Sequence, residues 1–144
     1  MTHPLTYPVR LDRGEEGDVV ITFPDLPEAN TYGATEAEAM ASAPDCLRVA
    51  LAGRVRDGQP IPDPSPAQAG TPTVSAPAEI AAKIIVREAL ARAGVSGAEL
   101  ARRLHVDEAE VRRILDPRHR TKLDRLEQAA RALGGRFRVE WQPL

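Results

Sequence analysis

VSGAELARRLHVDEAEVRRIL, residues 95–115, uses one device twice. Ser96 is followed three positions on by Glu99, and Asp107 by Glu110. Each pair has the pattern of a capping box, in which the first side chain accepts a backbone N–H and the acid reaches back to the cap. The spacing predicts two short helices, AELARRL and EAEVRRIL, joined by a tight turn at His105, with Pro117 ending the second. Leu104, Val106, Val111 and Ile114 supply a shared core, and Ala101 is small where the helices would cross. A general two-helix hairpin has the same apolar spacing. A helix-turn-helix, whose first helix braces the second for entry into a DNA major groove, fits it as well.

The exposed residues favour the second of these. Arg112 and Arg113 point away from the expected core, and Arg102, Arg103, Arg118, Arg120 and Lys122 flank them, enough cations to neutralise several phosphates. Arg112 or Arg113 is expected to fork onto guanine, while Arg103, Arg118, Arg120 and Lys122 position the phosphate backbone. Asp107 and Glu108 open the second helix and count with the DNA-facing set. Glu108 and Glu110 repel phosphate, although a carboxylate can accept from cytosine N4; capping explains Glu110 better.

Around this pair lie further helical signals. AEIAAKIIVREALARAG, residues 78–94, carries Ile80, Ile84 and Leu90 on an apolar face and stops at Gly94. Thr121 is expected to cap KLDRLEQAARALG. RFRVEWQ then alternates Phe137, Val139 and Trp141 with charged residues, which predicts a terminal strand. Too short to be stable alone, it is a candidate to pair with its copy across a two-fold axis, giving a dimer or higher even-numbered assembly.

The other half of the chain reads as strands and one helix. LTYPVRLDR places Leu5, Tyr7, Val9 and Leu11 on one face, and DVVITF does the same with Val19, Ile21 and Phe23 across an acidic turn flanked by Gly14 and Gly17. FPDLP ends the second strand, with an exposed Leu26 expected in the connection, and Asn30 to Gly33 resume as a short third strand. Thr35 with Glu38 caps a helix carrying Met40, Leu47, Leu51 and Val55, in which Pro44 predicts a kink or a restart. Residues 60–77 hold six prolines and read as a linker, with TPTVS as a possible added edge strand. The expected architecture is α+β: a small antiparallel sheet with one helix in residues 1–59, the linker 60–77, and an all-α domain in 78–144 ending in a strand.

Charge divides along the same boundary. Residues 1–77 carry 5 Arg and 11 acids, a net of −6; residues 78–144 carry 14 Lys plus Arg and 10 acids, a net of +4. An acidic module suits a basic protein surface and a basic one suits nucleic acid, whereas solvated faces account for both equally well on charge alone. With 3% aromatics, the core must be built largely from Ala, Val, Ile and Leu. Cys46 is alone, which excludes an internal disulfide, and is read as a small buried apolar residue; the histidines at 3, 105 and 119 have no metal-ligand spacing. No apolar run is long enough to span a bilayer and no signal-peptide pattern opens the chain, so no membrane association and a cytoplasmic location are expected.

The segment VSGAELARRLHVDEAEVRRILDPRHRTKLDRLEQAARALG resembles the Xre/Cro-type helix-turn-helix. Together with YPVRL, VVITFPDLPEANTYGATEAEA and the DCLRVAL helix, it resembles a HicB-type antitoxin from about Tyr7 to Val139. One departure is His105, where such turns usually have Gly. The resemblance implies a partial, catalytically inactive RNase H-like first domain that binds and masks a small basic HicA toxin, an mRNA-cleaving RNase, and a second domain that represses the operon on double-stranded operator DNA. Toxin contacts are then expected at Phe23, Asp25, Leu26, Glu28 and Tyr32, with no cofactor, no metal and no catalytic residue. Two other classes stay open: a ligand-responsive regulator, and a metal-dependent nuclease using Asp12, Asp25 and Glu28, whose chemistry needs converging carboxylates.

Overall fold

A computed structural model describes residues 4–144. His3, counted above among the scattered histidines, lies outside the described residues. The chain forms two compact units, one running to Ala81 and the other from Ala82 to Leu144. The architecture is α+β, with small antiparallel sheets and five helices among the described residues.

In the first unit the leading strand run is divided between two sheets. β1 (Thr6–Pro8) pairs antiparallel with β5 (Thr73–Ser75), whereas β2 (Arg10–Arg13) joins β3 (Val19–Phe23) and β4 (Leu26–Gly33) in the order β2-β3-β4. Val9, between β1 and β2, donates its N–H to the Pro72 carbonyl. Period-two patterning shows which side chains share a face but not which neighbour a strand pairs with, so this division was invisible in the sequence. Val19, Ile21 and Phe23 are buried on one face of β3. Helix α1 (Glu36–Arg56) covers that face with Ala39, Ala43, Leu47 and Leu51.

The FPDLP connection differs from expectation. Only Pro24 and Asp25 form the turn; Phe23 pairs with Leu26 across it, and a bulge at Thr22/Phe23 absorbs the register change. β4 therefore starts at Leu26, four residues earlier than predicted. Leu26 is fully buried rather than exposed. Pro27 is tolerated because β4 is an edge strand and needs no N–H on its open side. At the other end of β4 the motif TYGAT has a steric reason: a Cβ on Gly33 would come within 2.5 Å of the Ala39 backbone nitrogen. The Thr35 hydroxyl accepts from Glu38 N, and the Glu38 carboxylate returns to Ala34 N, one residue before the cap.

Helix α1 neither stops nor restarts at Pro44. Its 21 residues bury one apolar stripe, and that packing outweighs the single lost backbone bond. The proline-rich stretch is fastened to this unit. Tyr7 donates its hydroxyl to the Pro62 carbonyl at 2.7 Å, Arg54 donates to Pro60 O at 3.0 Å, and Ser65 donates its N–H to Asp25 at 2.8 Å.

The second unit contains the remainder of α2 (Ala78–Ala93), then α3 (Gly97–Leu104), α4 (Glu108–Leu115) and α5 (Leu123–Ala132). Val86, Ile114, Leu126 and Ala129 form one buried cluster, and Leu100, Ala101 and Val111 another, with Leu104 and Val106 half-buried against the latter. Two predictions fail here. Thr121 does not cap α5, whose N-cap Lys122 makes no side-chain capping bond, because the Thr121 hydroxyl is directed at Lys83. RFRVEWQ forms no strand in the single chain; Val139 and Trp141 are each 85% exposed. Alternation alone cannot make a strand without an edge to pair with.

Candidate functional site

The α3–turn–α4 pair is built by local chemistry. Ser96 accepts from Glu99 N at 3.1 Å and Asp107 from Glu110 N at 2.8 Å, so each helix start is closed by its own cap. His105 sits in the left-handed region at φ 55°, ψ 42°, the conformation for which glycine is commonest at this point of such a turn. Val106 N then reaches the Ala101 carbonyl at 3.0 Å, closing α3. With Val111 and Ile114 buried, α4 turns Glu108, Arg112 and Arg113 to solvent.

The eight residues assigned to DNA contact differ in their freedom. Among the described residues, Arg112, Arg120 and Lys122 make no side-chain hydrogen bond or ion pair and are exposed. Arg113 is laid along α4 onto Glu110, with Nε 3.0 Å and Nη2 2.7 Å from Oε2. Arg118 is drawn to Asp116, whose carboxyl is held below its ordinary value of 3.8 chiefly by the Arg118 backbone N–H. Arg103 is a brace: it bonds Glu99 at 3.2 Å and the Ala132 carbonyl at 2.8 Å, linking α3 to α5. Asp107 is committed to its cap, and Glu108 is exposed on the first turn of α4. Glu110 also approaches Arg125 of α5 at 3.8 Å.

Sequence reasoning missed Lys83. Its side chain is fully buried, and Nζ donates to Ile114 O at 2.9 Å, Arg113 O at 3.1 Å and Thr121 Oγ1 at 2.7 Å. An ammonium group thus closes the C-terminal carbonyls of α4, where a helix leaves its acceptors unpaired and its dipole is negative. The one available signal was a lysine inside the apolar run IAAKIIV.

In the first unit the five residues assigned to toxin contact also separate. Phe23 and Leu26 lie in the core, so they have no surface to offer. Asp25 accepts from both the backbone and the hydroxyl of Ser65. Glu28 is ion-paired with Arg54, and that hydrogen bond lowers its carboxyl below 4.5. Tyr32 is 73% exposed and, among the described residues, has no side-chain hydrogen bond. The register places it in one row with Val20 and Asp12, on the face of the sheet opposite Ile21 and Thr31. Cys46 is half-buried rather than enclosed; its thiol donates to Asn30 O, and desolvation raises its pKa. It lines an open groove between α1 and β4 together with Val49 and the Glu28–Arg54 pair. Asp25 and Glu28 are spent on structural partners, and among the described residues no three His, Cys, Asp or Glu side chains converge as a metal site.

Residues 6–85 match a family model described as the HicB-like antitoxin of a bacterial toxin-antitoxin system. The chain belongs to the HicB-like antitoxin family. It is 37% identical over 130 residues to antitoxin HicB of Escherichia coli K12, covering 90% of this chain and 94% of that protein. Antitoxin HicB 2 of Photorhabdus laumondii is 40% identical over 134 residues, covering 93% and 94%. Antitoxin HicB 1 of the same organism is 39% identical over 130 residues, covering 90% and 83%. In the first two alignments the HicB antitoxins and this chain correspond over nearly their whole lengths. Among the described residues no helix is long and apolar enough to cross a membrane.

Proposed function

We propose that this protein is a non-enzymatic antitoxin and autorepressor: its first unit binds and masks a HicA-type RNase, and its second binds operator DNA. Family membership supports the first role. The carrying observation for the second is an α4 helix capped at both ends, with Arg112 unpaired and exposed on it. The finer readings, a partial RNase H-like first unit and a helix-turn-helix second unit, rest on the three-stranded β2-β3-β4 sheet followed by α1 and on the α3–turn–α4 pair respectively.

Arg112 is the residue for direct base contact, because a guanidinium free of internal partners loses no ion pair on entering the groove. Arg120 and Lys122 contact phosphates; Arg113 and Arg118 do so after exchanging a carboxylate for a phosphate. Arg103 acts through packing. On the first unit, Tyr32 is the aromatic anchor for the toxin, since it combines exposure with a polar hydroxyl at the edge of an open sheet face. The unit's excess of acids complements an RNA-binding, cationic partner.

Gel-shift titration on the promoter DNA of its own gene tests the repressor role. Site-specific binding that weakens steeply with salt is expected, and binding indifferent to both sequence and salt overturns it. RNA cleavage by the cognate toxin, assayed with increasing antitoxin, tests the other role; undiminished cleavage at molar excess refutes it.

A further inference from the structure

Five acids lie between Ser96 and Pro117, and the fold occupies four of them. Asp107 accepts the N–H of Glu110 and closes the start of α4. Glu99 holds Arg102 and Arg103, Glu110 holds Arg113 and approaches Arg125, and Asp116 draws in Arg118. Glu108 is the exception. It is exposed and, among the described residues, its carboxylate has neither a hydrogen bond nor an ion pair. Arg112, four residues on, is in the same condition. Positions four apart stand one above the other on a helix, so the two form a single stripe on α4, away from the buried Val111 and Ile114. Neither has an internal partner to give up when it reaches outward.

An unneutralised carboxylate is costly on a surface that meets DNA. Beside a phosphate it weakens binding to every sequence alike. Over the floor of the major groove it meets base edges instead, and there cytosine presents an N4 amino donor that a carboxylate accepts. The N-terminal residues of a recognition helix are the ones that reach this floor, and Glu108 is the first residue of α4. Building on the repressor reading, we propose that Glu108 reads a cytosine while Arg112 reads a guanine, one acceptor and one donor on adjacent turns. Four residues advance a helix by about 6 Å, so the two contacts fall within about two base-pair steps of each other. The dipole of α4 also favours an acid at its start, which gives Glu108 a stabilising effect independent of any base. Only base reading ties the residue to one kind of nucleotide.

Gel-shift titration of the full chain on promoter DNA of its own gene, and on a panel with each base pair of the bound site replaced in turn, separates these roles. Glutamine keeps the side-chain length but carries an amide that pairs with adenine N6 and N7. Glu108→Gln is expected to weaken the parent site at least about fivefold, and to regain that affinity on the panel member in which one cytosine becomes adenine. Glu108→Ala should accept all four bases at that position nearly equally, and Arg112→Ala should relax a guanine within about two steps of it. A dipole role alone lowers Tm and leaves every base preference in place. An E108Q protein that binds the parent site as tightly as before or tighter, as relief of phosphate repulsion gives, overturns the proposal. So does an even loss across the panel. Either result leaves the repressor reading standing. An unsubstituted protein that binds all panel members alike removes the repressor reading, and the role of Glu108 falls with it.

Discussion

Replacing Lys83 by methionine tests the idea that a buried ammonium fixes the end of the exposed α4 helix. Methionine keeps most of the side-chain volume and its apolar stem, so it fits the same fully buried position. What is lost is the donor set: bonds of 2.9 and 3.1 Å to the Ile114 and Arg113 carbonyls and 2.7 Å to Thr121 Oγ1. A hydrogen bond from a charged donor contributes about 1.5–3 kcal/mol, and a buried acceptor stripped of its partner costs about 1–3 kcal/mol. Because methionine needs no desolvation of its own, part of this is offset, leaving a net destabilisation of about 2–4 kcal/mol. For a small unit that is on the order of 10–20 °C in Tm. Far-ultraviolet circular dichroism during urea and thermal unfolding measures it, and operator binding below the transition should weaken as α4 frays at Ile114. A K83M protein within about 0.5 kcal/mol of the parent, with operator affinity unchanged, refutes the reasoning, since ordinary surface substitutions have effects of that size.

The other predictions separate surface roles from structural ones. Arg112→Ala should weaken operator binding by about 1–3 kcal/mol in gel-shift titration without changing Tm, whereas Arg103→Ala should lower Tm through loss of the α3–α5 brace. Tyr32→Ala should cost at least about 1 kcal/mol in toxin affinity by calorimetry and leave folding intact, while Leu26→Ala should destabilise the first unit by about 2–5 kcal/mol. Glu28 has a depressed carboxyl pKa, so its contribution to folding is complete above 4.5 and is lost as pH falls through its folded-state value. Glu28→Gln should therefore flatten the acid side of the Tm-against-pH curve, and an identical curve would refute the linkage.

The α3–turn–α4 pair was legible because its signals are local: two caps within three residues of their partners, and an apolar spacing that holds along one helix. Even the left-handed His105 belongs to this class, since the turn's geometry follows from the helices on either side. The hairpin at FPDLP was misread because its outcome depends on a cross-strand pair, Phe23 with Leu26, that draws both side chains into a core formed with residues further along the chain. Lys83 and Thr121 lie 38 positions apart, a separation at which no local pattern signals a contact. The exposed residues posed a different difficulty. Sequence shows that Arg103, Arg112 and Arg113 are cationic; only the fold shows which of them already holds a carboxylate or a carbonyl.

The stitching of residues 60–65 onto the first unit bears on how this architecture tolerates change in length. A proline-dense stretch looks like slack that can be lengthened or trimmed freely, but Pro60, Pro62 and Ser65 each hold a fixed station against Arg54, Tyr7 and Asp25. An indel placed among them would pull three contacts out of step and be felt first as a weakened front module, whatever it did to reach. Room for drift in length lies instead between Ser65 and Thr71, after the last of these stations and before β5 begins.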